Sequence, residues 1–274
     1  MIVKSVRGLD VPAIGLGTFG LSGNEGEAAI RAALDMGYRH LDTAIRYGNE
    51  REVGVAVRAS GINRSELFVT TKIWPTDHAP DMVRRRVDES LERLGLDHVD
   101  LLLVHWPSKE VPLGETLAAF AEARDAGRAR AIGVSNFTTA LLGEAIDRHG
   151  AELAVNQVEY HPFLAQPKLL AALRAADMLM TAYLPLARGA VFSDEVLARI
   201  GRRHGKSAGQ VALRWLVQQD NVLAIPRSSK PDNMRANIDI FDFELDAKEM
   251  AEIHALDRQE RQVEMEWSPQ WDRA

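Results

Sequence analysis

Short apolar, β-branched runs alternate along the chain with longer stretches in which apolar residues recur at helical spacing. The runs are Ala13–Gly17, Arg39–Asp42, Leu67–Lys72, Val99–His105, Ala129–Ser135, Ala154–Glu159, Met178–Tyr183 and Val222–Pro226. Helical periodicity fills Glu25–Met36, Glu50–Ala59, Asp81–Leu94, Gly114–Ala126, Thr139–His149, Pro167–Ala175, Ser207–Gln219 and Asn233–Asp239. Such alternation signals parallel strands covered by helices, and eight strands is the number that closes a barrel. Two further helical stretches, Asp194–His204 and Asp246–Leu256, fall outside the alternation, and Ile2–Val6 with Asp10–Pro12 around Arg7-Gly8 reads as a hairpin ahead of the first barrel strand. The expected fold is therefore α/β, a (β/α)8 TIM barrel with an N-terminal β-hairpin and two extra helices. An open doubly wound sheet gives similar apolar runs, but neither GxGxxG after an early strand nor GxxxxGK[ST] is present to support it.

At 274 residues, 46% apolar and 26% charged, the chain can bury a large core, and without a linker the whole of 1–274 is expected to form one domain. With no cysteine, disulfides, thiolate metal sites and cysteine nucleophiles are excluded, as suits a reducing cytoplasm. No secretory leader and no apolar run of membrane-spanning length is read in it. Lys and Arg are dispersed and the net charge is −6, so nucleic acid and anionic lipid are not expected partners, and an anionic ligand would need a local cation.

Chemistry in such a barrel sits at the carboxyl ends of the strands, so polar residues that end apolar runs carry the information. Four fit together: Asp42 ends RHLD, Tyr47 follows it in DTAIRYGNE, Lys72 ends LFVTTK and His105 ends VDLLLVH. Each alone reads as a helix cap, a packed ring, a snorkelling lysine or a turn histidine; together, on three successive strand–loop segments, they form a candidate catalytic group.

These residues lie in motifs that run nearly end to end: GLGTF (15–19), GYRHLDTAIRYGNE (37–50), TTKIW (70–74), VDLLLVHWP (99–107), IGVSNF (132–137), NQVEYHP (156–162), AYLPLARG (182–189), IPRSSKPDNMRANI (225–238) and ALD (255–257). In them the sequence resembles the aldo-keto reductase superfamily, most closely the bacterial 2,5-diketo-D-gluconate reductase and methylglyoxal reductase group. The resemblance implies an NADPH-dependent reductase of small carbonyls. Tyr47 would give a proton to the carbonyl oxygen, Lys72 would lower the phenol's pKa, Asp42 would hold Lys72 charged, and His105 would position the substrate oxygen. It further implies that Ser135, Asn136 and Gln157 hold the nicotinamide carboxamide, that Tyr183 stacks on the ring, and that Thr18 touches the ribose side. Ser135–Asn136 also fits a helix cap before Thr139.

The resemblance assigns the pyrophosphate to the segment containing Leu184, Leu186 and Arg188, where Arg188 equally fits a solvated side chain. The 2′-phosphate goes to Pro226, Arg227, Ser228 and Ser229, and adenine to Asn237. Arg227 stands where relatives commonly have Lys, Asn233 where they have Arg, and Ala236 where they have an acid; Arg235 is an uncertain substitute for the lost cation. Phe19, Trp74 and Trp106 would wall the substrate pocket. Trp267 or Trp271 fits either a lid or a tail docked elsewhere, and the short tail is expected to leave the site open. Arg46 fits a substrate-anion contact or a solvated residue. The implied substrates are 2-oxoaldehydes, keto-sugars and aromatic aldehydes, and the implied assembly is a monomer. Two other readings compete: a nicotinamide-binding regulatory protein of the same fold, like potassium-channel β-subunits, and a barrel hydrolase built on Glu159 and His161.

Overall fold

The computed structural model describes residues 2–272. A hairpin opens the fold: β1 (Val3–Val6) pairs antiparallel with β2 (Leu9–Pro12). Its turn uses Arg7 and Gly8 at φ 48° and 75°, the double left-handed turn that matches strand twist. Lys4 reaches from it to the carbonyls of Gln219 and Asp220, which precede the last strand.

Eight parallel strands follow in sequence order: β3 (Leu16–Gly17), β4 (His40–Asp42), β5 (Phe68–Ile73), β6 (Val99–Val104), β7 (Ala129–Ser135), β8 (Leu153–Glu159), β9 (Leu179–Tyr183) and β10 (Val222–Ala224). The seam between first and last is closed: Gly15 N donates to Ala224 O at 2.9 Å, Ala224 N to Ala13 O at 2.9 Å, and Gly17 N to Pro226 O at 3.1 Å. A Cβ on Gly17 would sit 2.9 Å from Ile225 O, so the GLGT turn needs glycine where the barrel zips shut. The run expected as strand Ala13–Gly17 is thus partly seam.

Between the strands lie α1 (Gly23–Asp35), α2 (Glu50–Ala59), α3 (Pro80–Leu94), α4 (Leu113–Asp125), α5 (Thr139–Gly143), α6 (Pro167–Ala175), α8 (Ala208–Gln218) and α9 (Pro231–Ile238), each turning buried apolar residues onto the barrel. The two extra helices are α7 (Glu195–His204) and α10 (Ala247–His254); reciprocal side-chain caps start α8 (Ser207, Gln210) and α10 (Asp246, Glu249). One expected helix, Thr139–His149, is instead α5 followed by a wider π turn over Glu144–Arg148. The change begins at Gly143, the weakest helix former in that stretch.

Candidate functional site

Strand ends carry the four chemical residues to one place. Asp42 is the last residue of β4, Lys72 stands one residue before the end of β5, and His105 directly follows β6. Tyr47 closes a 3₁₀ turn, Ile45–Tyr47, that follows β4. Lys72 is 0% exposed, and its Nζ donates to Asp42 Oδ1 at 2.5 Å, to Thr43 O at 2.8 Å and to Tyr47 Oη at 3.5 Å. A buried ammonium tolerates desolvation only when its donors are matched, and here all three are.

Burial works against the Lys72 charge, but Asp42 and Tyr47 outweigh it and hold the pKa above the ordinary lysine value. Burial pushes the Tyr47 phenol up, Lys72 pulls it down, and Asp42 adds to the rise; the net direction is up. Lys72 therefore acts in the expected sense but does not win, because burial of the phenol outweighs it and the Asp42 charge adds to the rise. His105 is driven well below the usual histidine value by burial and then by the positive charge of Lys72, so the ring is neutral. Its Nδ1 is buried with no protein partner, a polar atom left for something else to satisfy.

A second layer links these groups to β7, β8 and β9. Gln157 Nε2 donates to Asp42 Oδ2 at 2.7 Å, so both oxygens of Asp42 are engaged. Ser135 Oγ donates to Gln157 O at 2.8 Å, Asn136 Nδ2 to His105 O and Ser135 Oγ at 3.0 Å each, and Tyr183 Oη to Asn136 Oδ1 at 2.8 Å. Asn136 sits at φ 64°, a conformation asparagine tolerates better than most residues, which turns its amide to these partners. Thr18 is fully buried, its hydroxyl donating to Asp42 O at 3.0 Å.

Seven residues expected at a dinucleotide line one cleft of about 500 Å³: Leu184, Leu186, Arg188, Pro226, Arg227, Ser228 and Asn237. Ser229 is not among its lining residues and is exposed. Arg235 lines a different groove, with Ala32, Asp35 and Met36, so it does not replace the cation missing at Asn233, which does line the cleft. Leu184, Ala187 and Arg188 all have positive φ, 48°, 46° and 50°, a concentration of backbone strain typical of ligand clamps. The segment that follows runs as 3₁₀ turns over Ala187–Ser193, broken by non-helical backbone at Arg188 and Gly189, and Arg188 is exposed. Arg227 donates to Phe19 O at 3.1 Å and Gly20 O at 3.4 Å.

Trp74 meets His105 edge-on at 5.0 Å, and Phe19 meets Tyr47 at 5.1 Å. Phe19 is nonetheless 67% exposed, so it edges the pocket more than it encloses it. Trp106 is buried because the tail covers it: Trp267 packs on Trp74 at 5.7 Å and on Trp106 at 5.2 Å, with Trp271 on Trp106 at 6.0 Å. The tail is a strap across the mouth, and the expected open site is a covered one. Glu159 accepts the backbone N–H of Gln262 at 2.7 Å and of Val263 at 2.8 Å, and Asp272 accepts Thr139 N at 2.9 Å.

That clamp also answers the hydrolase reading. Glu159 pairs with His161 at 3.0 Å, both fully buried, and its oxygens are committed to the strap. Among the described residues no cluster of three or more His, Asp or Glu could hold a metal ion.

Two residues that sequence reasoning missed tie together the segments around the Tyr47 turn. Asn49 donates to Thr18 O at 2.7 Å and Leu21 O at 2.8 Å and accepts from Thr43 at 2.8 Å. Glu50 accepts from Thr71 at 2.6 Å and pairs with Arg93 at 2.7 Å. Both stand in DTAIRYGNE, where the available signal is two adjacent polar residues opening a helix.

Residues 13–258 match the Aldo/keto reductase family. The morphine 6-dehydrogenase of Pseudomonas putida is 44% identical, the alignment covering 93% of this chain and 91% of that protein. The methylglyoxal reductase of Escherichia coli O157:H7 is 41% identical over 96% of this chain and 99% of its own. A crystal structure provisionally assigned as a 2,5-diketo-D-gluconic acid reductase B superposes with TM-score 0.97 at 46% identity, covering 100% of this chain and 98% of that one. A Bombyx mori aldo-keto reductase in complex with NADP superposes with TM-score 0.90 at 32% identity, covering 96% and 95%. Barrel order, strand-end residues and similarity over nearly the full length agree: the chain belongs to the aldo/keto reductase family.

Proposed function

We propose that this protein reduces small aldehydes and ketones to alcohols with NADPH, using Tyr47 as the proton donor. The observation that carries the reading is the fully buried Lys72, bonded at once to Asp42 and to the Tyr47 hydroxyl. The polar set at the mouth suits a nicotinamide carboxamide: one N–H of Gln157 is spent on Asp42, leaving a second as donor, while Ser135 Oγ and Asn136 Oδ1, their neighbours' bonds made, keep lone pairs that can accept. Arg227 and Ser228 in the cleft suit a phosphate, and Asn237 the adenine. When bound, the cofactor supplies the hydride.

The chain's own residues do the rest. Neutral His105 donates to the carbonyl oxygen and holds it near Tyr47, whose proton moves to that oxygen as negative charge develops there. The ammonium of Lys72 then stabilises the tyrosinate, and Asp42, fixed by Gln157, keeps that ammonium charged. Trp74, Trp106 and Trp267 exclude water from the exchange. Substrates in this reading are 2-oxoaldehydes, keto-sugars and aromatic aldehydes. The working unit is a single-domain cytoplasmic monomer, consistent with a chain free of cysteine in which no described helix is long and apolar enough to cross a membrane.

A screen of methylglyoxal, 2,5-diketogluconate and an aromatic aldehyde against NADPH and NADH tests the proposal. Loss of reduced-nicotinamide absorbance with at least one carbonyl, faster with NADPH, is expected. Tight NADPH binding with no turnover of any carbonyl would instead favour a nicotinamide-binding regulatory protein.

A further inference from the structure

We propose that Arg46 is a specificity residue that selects carbonyl substrates bearing a carboxylate; the inference rests on the reductase reading and narrows its substrate class. Arg46 immediately precedes Tyr47 in the 3₁₀ turn, and its exposed guanidinium lies over the face of Trp74, 5.3 Å from the ring centroid. The other side of that contact is the pocket: Trp74 packs edge-on against His105 and against Trp267. The positive charge reaches the pocket, since it is one of the charges that depress the His105 pKa, after burial, Lys72 and His78.

Among the described residues no carboxylate lies within ion-pair distance of Arg46, and no hydrogen bond engages its guanidinium. Elsewhere the fold satisfies arginines beside buried acids, as Arg64 and Arg130 do on Asp100 at 2.7 and 2.9 Å, and Arg93 on Glu50. The Trp74 face holds the Arg46 guanidinium carbon 5.3 Å from its centroid, beside the pocket, and with no protein acceptor engaging them its N–H groups are free to take a carboxylate through two parallel hydrogen bonds. A net charge of −6 gives an anion no general welcome, so a local cation at the mouth changes which carbonyl compounds dwell there.

The test compares 4-formylbenzoate with its uncharged methyl ester, in the wild type, Arg46→Lys and Arg46→Ala. Two readouts are taken: kcat/KM with saturating NADPH, and quenching of tryptophan fluorescence by the corresponding alcohols, which needs no turnover. The wild type is expected to favour the acid by about tenfold or more in both, Arg46→Lys to keep part of that preference, and Arg46→Ala to bring the ratio close to one. A wild-type ratio near one, or a preference that survives Arg46→Ala, overturns the proposal. If neither aldehyde is consumed yet the fluorescence preference is present and vanishes in Arg46→Ala, the reductase reading fails and the assignment of Arg46 stands.

Discussion

The floor of the barrel mouth and its rim are built in opposite ways. On the floor, Asp42, Lys72, Gln157, Ser135 and Asn136 are nearly inaccessible, sit on or beside strand ends, and bond mainly to one another. On the rim, Phe19 is 67% and Trp267 36% exposed, Arg46 and Arg227 are exposed, and the covering strap hangs on a few bonds from Glu159 and Asp272. Buried polar groups are held by the cost of losing a partner, so the floor has one arrangement available to it. A rim made of side chains in water can change identity cheaply. Proton chemistry is therefore fixed by the strands, while choice of substrate is left to loops and tail.

Breaking the floor gives the largest effect. Lys72→Met leaves Asp42 buried without its cation, and kcat should fall about 10³-fold while stability drops by about 3–5 kcal/mol, read by steady-state turnover and denaturant titration. A kcat within tenfold of wild type would remove the ammonium from the mechanism.

The strap comes next. Glu159→Ala takes the acceptor from two backbone N–H groups. It should cost about 1–3 kcal/mol of stability, raise hydrogen exchange at Gln262 and Val263, and lift KM more than it lowers kcat. Unchanged exchange there would mean that the strap is held by its tryptophans. Trp267→Ala should be milder, raising KM a fewfold at nearly constant kcat; a large loss of kcat would put this ring in the chemistry.

The smallest expected effect is that of pH. His105, with its pKa depressed, is neutral on the alkaline side of that lowered value. Tyr47, raised above 10, stays protonated until strongly alkaline solution, and Lys72, also raised, stays charged. Between about pH 7 and 9 none of the three changes state, so kcat for reduction should be flat when chemistry limits the rate. An inflection in that window that disappears in His105→Asn would contradict the neutral imidazole.

Sequence and structure agree best where burial and identity coincide. Asp42, Lys72 and His105 were legible because a polar side chain ending an apolar run has few uses at a barrel mouth. The rim was less legible for a definite reason: its decisive partners are backbone atoms. Besides its pair with His161, Glu159 accepts from two amides about a hundred residues later, and amides have no signature in a sequence. Asn49 stands at the N-cap of α2 yet makes no side-chain capping bond and instead ties the Thr18–Leu21 turn to the loop after β4. The positive φ of Leu184 had no forewarning either, since leucine does not advertise a left-handed turn. Arg235, two residues from Asn233 on a helix, falls on another face, and the groove it lines is not the cleft.

The central claim is that a half-buried phenol, steadied by Lys72, delivers the proton. Its most direct test is Tyr47→Phe, with NADPH affinity measured by fluorescence and reduction measured at saturating cofactor and carbonyl. The account predicts an unchanged Kd for NADPH and a kcat lower by about 10³-fold or more, a barrier higher by about 4 kcal/mol. Turnover within tenfold of wild type, with the cofactor still bound, would contradict it.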